Sequence, residues 1–200
     1  DRLAVAWAEL ADAVEQQLER LTREHWAERL WARDGTLWTG EAEAARDIAY
    51  WTGWLDVPQQ MLQRGEEFAV ARREMSSRFD HVVLCGMGGS SLCPDVLRNT
   101  FGKQEGAPEL IVLDSTHPST IASVAARITP GRTLFLVASK SGGTTETLSH
   151  YRYFHEQIRQ AGVKHHGRSF IAITDEGSGL QKLAAEQDFG HVFLNPPDIG

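Results

Sequence analysis

The chain has 200 residues and a formal net charge of −7, from 27 acidic and 20 basic residues. This length accommodates one large domain, or one domain with a helical extension, and the acidic balance without any basic run longer than Arg72-Arg73 argues against a nucleic-acid-binding protein. The apolar runs are too short to cross a bilayer and no signal-peptide pattern is present, so we expect a cytoplasmic protein with no membrane or nucleic-acid partner.

Residues 1–79 are predicted to form a helical segment. Apolar residues at spacings of three and four predict a helix over residues 2–31, and a second helix is predicted over residues 41–51. Asp56 is a suitable N-cap for a third helix, which continues to about Met75. Five tryptophans are typical either of an aromatic cofactor site or of a core where helices meet, and we favour the core: Trp26, Trp31, Trp38, Trp51 and Trp54.

From residue 80 onward, short apolar strands alternate with helices. Strands are predicted at residues 81–85, 110–113, 133–138, 170–174 and 191–194, and helices near 94–100 and over 118–127, 145–162 and 179–188. Continuously apolar strands in this alternation indicate a parallel sheet with helices on both faces. Right-handed crossovers then place the loops at the carboxyl ends of the strands along one rim of the sheet, where ligands bind at the point at which the strand order reverses.

The loop over residues 139–145 follows the third strand and precedes a long helix. Its hydroxyl side chains can each donate a hydrogen bond to a phosphate oxygen, and they belong to Ser139, Ser141, Thr144 and Thr145. The helix N-terminus adds unpaired N–H groups and a favourable dipole, while Gly142 and Gly143 allow the backbone to approach closely. The alternative is that Ser141 or Thr144 only caps the helix, but four hydroxyls around two glycines favour an anion site.

A second loop, residues 86–91, joins the first strand to its helix. With Asp114 at the end of the second strand it could indicate a dinucleotide site, but Ser91 stands where Gly or Ala is required for close helix packing, and the loop lacks the Gly-Lys-Ser/Thr of a P-loop. Two rim loops that both offer hydroxyls and N–H groups favour instead a clamp for one terminal phosphate. Cys85 and Cys93, which flank the 86–91 loop, are expected to be free thiols rather than a disulfide.

Both loops resemble motifs of the phosphoglucose isomerases. Residues 86–92 resemble the family's G-I-G-G-S-x-L-G-P motif, and residues 139–147 resemble its S-K-T-x-x-T-x-E-T motif. Residues 29–55 are similar to the isomerase part of the bifunctional transaldolase/phosphoglucose isomerases. The sequence departs from the family pattern at Cys93, where the family has Gly, and at Gly142-Gly143, where many members carry bulkier residues.

The resemblance implies a fold and a set of binding residues. Residues 80–200 would be a first sugar isomerase (SIS) domain, a three-layer αβα, flavodoxin-like domain with five parallel strands, behind the helical segment 1–79. Thr145 and Glu146 are candidates for supporting contacts, and no metal or organic cofactor is implied, because a carbon-bound proton shift needs only acids and bases. The phosphate of a sugar phosphate would be held by Gly89, Ser90, Ser139, Lys140 (chiefly through its backbone), Ser141 and Thr144.

The resemblance also implies an activity, the interconversion of glucose-6-phosphate and fructose-6-phosphate by a homodimer. In the family the catalytic Glu, the ring-opening His and Lys and an assisting Arg lie C-terminal to the second loop, and we find no matching motif before Gly200. We therefore expect part of a longer protein, without the second SIS domain, that holds phosphate but does not turn substrate over. The alternatives are another SIS sugar-phosphate isomerase or a non-catalytic sugar-phosphate sensor.

The remaining titratable candidates are expected to have structural roles. Glu146 suits a capping position in the first helical turn better than it suits orienting a basic residue, and we do not expect it to be the base. His117, before Pro118, favours a helix start over a ligand contact. His165-His166 favours a solvated turn over a metal site, and His150 and His155 are expected on the exposed side of the long helix.

Overall fold

Five parallel strands form the centre of the fold in the computed structural model, which describes residues 2–199 and the side chains from Leu10 to Ile199. The strands are β1 (His81–Gly86), β2 (Glu109–Leu113), β3 (Thr133–Ala138), β4 (Phe170–Thr174) and β5 (His191–Leu194). Their order in the sheet is β2-β1-β3-β4-β5, and all neighbours are parallel. The predicted five-stranded parallel sheet is therefore confirmed, and its order reverses between β1 and β3.

Helices surround this sheet and make up the N-terminal segment. They are α1 (Arg2–Arg23), α2 (Trp26–Trp31), α3 (Ala42–Tyr50), α4 (Val57–Gln63), α5 (Gly65–Arg78), α6 (Gly89–Phe101), α7 (Pro118–Arg127), α8 (Thr145–Gln160) and α9 (Gly179–Glu186). The described residues divide into two compact units, residues 2–60 with 198–199 and residues 61–197. The predicted domain boundary near residue 80 stays a prediction. Among the described residues, no helix combines the length and the apolarity needed to cross a membrane.

Two predicted helices are each divided into two. The helix predicted over residues 2–31 is interrupted at His25, whose backbone is left-handed with a φ of 51°. The helix predicted from Asp56 is interrupted at Arg64, which precedes a glycine with low helix propensity. Periodicity of apolar residues continues across both interruptions, and for this reason the pattern alone did not reveal them.

The first unit buries few side chains. A Cβ on Gly35 would lie 1.9 Å from the Ala45 carbonyl oxygen, so only glycine allows these two segments to pack, and the Gly53 amide donates to the Asp198 carbonyl oxygen at 3.0 Å. The prediction of a tryptophan core is wrong, because Trp31, Trp38, Trp51 and Trp54 are all exposed. Trp26 is half-buried and contacts Trp38 edge to face with ring centroids 5.5 Å apart. Among the described side chains of this unit, only a few apolar ones are buried, such as Ala45 and Leu55, so no core encloses the large rings.

Both faces of the sheet bury apolar side chains in the second unit. Alternate strand residues point to opposite faces, so Val83, Phe135 and Phe170 belong to one cluster while their neighbours Val82, Leu134 and Ile171 belong to the other. α7, α8 and α9 cover the first cluster through residues that include Val124, Phe154 and Leu180, and α5 contributes Met75 and Phe79 to the second. Helices on both faces complete the predicted three-layer arrangement.

The prediction that His150 lies on the exposed side of α8 is wrong. Its side chain is fully buried, on the same face of α8 as Thr147, Tyr151 and Phe154, and its Nε2 donates to the Ser115 carbonyl oxygen at 3.1 Å. His155 is half-buried, with its ring 4.7 Å from the ring of His166. The buried face of α8 thus includes Thr147 and His150, and the loop after β2 provides an acceptor for His150.

We expect the burial of His150 to make stability depend on pH. Burial is the largest cause that lowers its pKa below the ordinary 6.5, while the Ser115 carbonyl, Asp114 and Glu146 oppose it in part. The unfolded chain binds the proton near the ordinary value and the folded chain does not, so this contribution is complete above that pH and is lost as the pH falls below it. Urea unfolding should show a smaller loss of stability between about pH 7.5 and pH 5.5 for His150→Gln than for wild type.

The matched control is His165→Gln, because His165 is exposed. An equal loss of stability with acidification in wild type and His150→Gln would contradict the assigned role of His150. His155, whose pKa is also lowered by burial, contributes with the same sign, so the variant should reduce the loss without abolishing it.

Candidate functional site

The loops singled out in the sequence begin side by side. β1 and β3 are adjacent and in register to their last residues, where Gly86 is paired with Ala138. The 86–91 loop and the 139–145 loop therefore leave the sheet next to one another, at the position where the strand order reverses. In open parallel sheets this is the place where ligands bind.

A cleft of about 310 Å³, here called the rim cleft, opens between these loops. Its walls are formed by Met87, Ser90, Ala138, Ser139, Lys140, Ser141, Thr144 and Asp175. Five of the residues singled out for phosphate binding thus share one cleft: Ser90 from the segment 86–91 and Ser139, Lys140, Ser141 and Thr144 from the second loop. The helix predicted near residue 94 begins earlier, at Gly89, so Ser90 lies in the first turn of α6. Gly89 begins α6 beside Ser90 without forming the wall, and Thr145 and Glu146 are exposed in the first turn of α8.

The hydroxyl groups of Ser139 and Thr144 form the centre of the second loop. Their oxygen atoms are 2.9 Å apart, and Ser139 is almost completely buried. One of the two hydroxyl hydrogens is used between them, so the other remains available to a ligand. Ser141 accepts a hydrogen bond from the Gly143 amide at 3.3 Å, which leaves its own hydroxyl hydrogen free to be donated into the cleft.

Two helices begin at the rim cleft, and neither N-terminus is capped by a side chain. Thr144 occupies the N-cap position of α8, yet its side chain makes no capping hydrogen bond, and Gly88 at the N-cap of α6 has no side chain to offer. The alternative that Thr144 only caps the helix is therefore not supported. Uncapped first-turn N–H groups favour an anion, and the positive ends of both helix dipoles add to this preference.

A third loop, after β4, supports the second and was missed in the sequence. The Lys140 carbonyl oxygen accepts hydrogen bonds from the Asp175 amide at 3.0 Å and from the Thr174 hydroxyl at 3.2 Å. The Asp175 carboxylate accepts from the Asn195 side-chain amide at 2.8 Å and lies 3.6 Å from the Lys140 ammonium. Asp175 directly follows a predicted strand, so its place at the rim could be predicted, whereas its place beside Lys140 depends on β4 lying next to β3.

Glycine is required at position 142 both by the backbone conformation there and by the close approach of neighbouring atoms. Its φ of +70° lies in the left-handed region, and a Cβ there would be 2.6 Å from the Leu180 amide nitrogen and 2.9 Å from Ser178 Cβ. The second loop is thereby pressed against the start of α9, which Ser178 caps by accepting from the Gln181 amide. This close contact explains the glycine at position 142 but not the one at position 143, where a Cβ would have no neighbour closer than Ser141 Oγ at 3.9 Å.

The other titratable candidates do not enter the rim cleft. His117 caps α7 by accepting from the Ser119 amide, as predicted. The Glu146 side chain makes no hydrogen bond or ion pair with any other residue in the range 2–199, so its predicted capping contact is not seen. Cys85 is buried and Cys93 exposed, and both are free. Within the part of the chain that is described, no group of three or more His, Cys, Asp or Glu side chains could hold a metal ion.

The fold and the rim cleft define a three-layer α/β domain with a polar, hydroxyl-rich site at its topological switch point. Residues 55–195 match the family model described as phosphoglucose isomerase, and the chain belongs to this family. A glucose-6-phosphate isomerase of Carboxydothermus hydrogenoformans is 28% identical over 157 residues, which cover 74% of this chain and 34% of that protein. A glucose-6-phosphate isomerase of Thermus thermophilus is 29% identical over 150 residues, covering 74% and 35%.

Solved structures show the same fold. A hypothetical protein of Thermus thermophilus superposes with a TM-score of 0.70 at 27% identity, covering 93% of this chain and 42% of that one. A glucose-6-phosphate isomerase of Chlamydia trachomatis superposes with a TM-score of 0.60 at 25% identity, covering 88% and 31%. The chain thus spans about a third of the length of the curated relatives it matches.

Substitutions of Gly142 and Gly143 should differ in their effect on stability. We expect Gly142→Ala to lower the free energy of unfolding by about 2 kcal/mol or more, since it adds left-handed strain and a steric overlap with α9. Gly143→Ala is the matched control, because the nearest atom to its Cβ would be Ser141 Oγ at 3.9 Å. Urea unfolding of both variants measures the difference, and equal stabilities would contradict the assigned packing of Gly142.

Proposed function

We propose that the rim cleft binds the phosphate group of a hexose 6-phosphate, as part of an isomerase that interconverts glucose-6-phosphate and fructose-6-phosphate. The observation that carries the proposal is the convergence of Ser90 from one loop with Ser139, Ser141 and Thr144 from another on a single cleft. Hydroxyl donors from two loops can surround the three terminal oxygens of a phosphate monoester from different sides.

The electrostatics of the rim cleft support a phosphate ligand. The N-termini of α6 and α8 both begin at this cleft and lack side-chain caps, so their N–H groups and dipoles can stabilise a dianion. Lys140 adds a positive charge on the wall of the cleft. Gly89, at the first position of α6, would contribute its amide, and Thr145 and Glu146, exposed in the first turn of α8, stay candidates for supporting contacts.

Membership of the phosphoglucose isomerase family supports the reaction class, because the curated relatives quoted above are named glucose-6-phosphate isomerase. Isomerisation requires a base that moves a proton between two carbons and an acid–base group that opens the ring. No Glu or His is among the residues that form the wall of the rim cleft within residues 2–199, and its one carboxylate, Asp175, lies beside the Lys140 ammonium and accepts from the Asn195 amide. We therefore propose that these 200 residues hold the phosphate while the proton-transferring groups come from elsewhere in the active protein.

Further parts of the proposal rest on the same resemblance. The active protein would be a cytoplasmic homodimer that needs no metal or organic cofactor, with a second SIS domain that carries the catalytic Glu, His and Lys. The similarity of residues 29–55 to bifunctional enzymes supports a transaldolase part in the same polypeptide. Residues 80–200 would then be the first of the two SIS domains.

Loss of the central hydroxyls should weaken phosphate binding. We expect the double variant Ser139→Ala/Thr144→Ala to bind glucose-6-phosphate and inorganic phosphate at least roughly tenfold more weakly than wild type, because charge-assisted hydrogen bonds are removed. Isothermal titration calorimetry measures both affinities. Ser149→Ala is the control, since its hydroxyl bonds to the Thr145 carbonyl one turn along α8. Unchanged affinity in the double variant would refute the assigned site.

The 200-residue chain alone should not isomerise. We expect no production of fructose-6-phosphate from glucose-6-phosphate in a coupled assay. The assay uses a glucose-6-phosphate concentration that saturates the chain in calorimetry. Turnover above the buffer control, if it persisted after further purification, would show that the chain supplies its own base and acid, and the proposed division of roles would be wrong.

A further inference from the structure

A carboxylate in the wall of the rim cleft is not explained by phosphate binding. Asp175 is the one acidic residue in that wall among the described residues, and about a third of its side-chain surface, 34%, is exposed. A negative charge so close to a dianion repels it, and a cleft that served only to bind phosphate would be improved by its removal. Its position therefore indicates that the cleft also contacts a part of the ligand other than the phosphate.

Asp175 is held in place from two sides. Its backbone amide donates to the Lys140 carbonyl oxygen at 3.0 Å, and its Oδ1 accepts from the Asn195 side-chain amide at 2.8 Å. Asn195 is itself fixed, because its backbone amide donates to the Thr174 carbonyl oxygen at 3.0 Å. A carboxylate restrained in this way presents its remaining lone pairs in a defined direction at little further entropic cost.

The second oxygen of Asp175 has capacity left for a ligand. Oδ2 lies 3.6 Å from the Lys140 ammonium, a distance that gives electrostatic attraction but exceeds that of a good hydrogen bond. An ionised carboxylate accepts about four hydrogen bonds, and the Asn195 amide occupies one of these positions. The remaining positions can be filled only by hydrogen-bond donors. On a phosphorylated sugar these donors are the hydroxyl groups.

We infer that Asp175 is a specificity-determining residue that accepts a hydrogen bond from a sugar hydroxyl and disfavours phosphate esters without one. This inference rests on the proposed function, since it assigns a further ligand contact to a residue of the same cleft. The hydroxyls of the second loop hold the phosphate, and Asp175 on the neighbouring loop selects the body of the ligand. The Lys140 ammonium, 3.6 Å from Asp175 Oδ2, offsets the repulsion between carboxylate and phosphate.

Two phosphate monoesters of equal charge distinguish the contribution of the phosphate-binding hydroxyls from the contribution of Asp175. Calorimetric titration of the 200-residue chain compares glucose-6-phosphate with ethyl phosphate, which carries the same phosphate without hydroxyls. Wild type should bind glucose-6-phosphate roughly tenfold more tightly than ethyl phosphate, a ratio expected for one hydrogen bond to a charged acceptor. In Asp175→Asn this preference should disappear, while ethyl phosphate should bind more tightly because a like charge is removed.

Control variants exclude a purely structural effect. In Asp175→Asn the new side-chain carbonyl oxygen can still accept from the Asn195 amide, so the loop keeps its shape, and Glu176→Gln removes the same charge from the exposed neighbouring residue. Asn195→Ala keeps the charge of Asp175 but releases Oδ1, and it should reduce the sugar preference without tightening ethyl phosphate. These comparisons use ratios of affinities, which a uniform loss of stability does not change.

The possible outcomes test the role of Asp175 and the phosphate site separately. A preference for glucose-6-phosphate that is the same in wild type and Asp175→Asn, or an equal effect of Glu176→Gln, overturns the role of Asp175 and leaves the phosphate site standing. Binding of neither ester by wild type overturns the phosphate site and the inference together. Loss of preference in Asp175→Asn alone, with tighter ethyl phosphate binding, supports both.

Discussion

The register between β1 and β3 is the constraint on which the candidate site depends. Because Gly86 is paired with Ala138 at the ends of the two strands, the loops that follow them leave the sheet at the same height and are next to one another. A slip of one residue would turn the side chains of β3 to the opposite face and exchange its two buried clusters. Phe135 and Leu134 belong to different clusters, so the packing of both faces opposes such a slip. The same packing that stabilises the core thus positions the rim cleft.

Close packing behind the second loop extends this constraint to a third strand. The Ser139 amide continues the pairing of β3 with β4 by donating to the Ile173 carbonyl oxygen at 3.0 Å. Gly142 then passes close to Leu180 at the start of α9, a contact that any Cβ would prevent. The loop is therefore supported from the sheet and from the helix, and its hydroxyls face the cleft from a rigid base. Such preorganisation lowers the entropic cost of binding a small anion.

Much of this architecture could be predicted from local patterns, and the exceptions have a common cause. The bounds of β3, β4, β5 and α7 agree with the predicted ones, because each is an apolar run or an amphipathic helix bounded by turn residues. The convergence of Ser90 with the 139–145 loop was also predicted, from the general rule that carboxyl-end loops share one rim. The proposed sugar-phosphate reaction was inferred from the resemblance of two motifs to a known family and not from periodicity or spacing. What could not be predicted depends on contacts between residues distant in the sequence: the burial of His150 requires the Ser115 carbonyl oxygen on another loop, and the role of Asp175 beside Lys140 requires β4 to be the neighbour of β3.

The charges around the rim cleft explain why a carboxylate can be tolerated beside the proposed anion site. The hydroxyls of Ser139 and Thr144 and the two helix N-termini are neutral or only partly charged, so they would bind an anion through directed hydrogen bonds rather than through net charge. Lys140 supplies the full positive charge on the cleft wall, and Asp175 at 3.6 Å largely balances it. If the rim cleft binds a phosphate ester, as proposed, selectivity among such esters would depend mainly on where the hydrogen bonds point. The loop after β4 would contribute to this selectivity through Asp175.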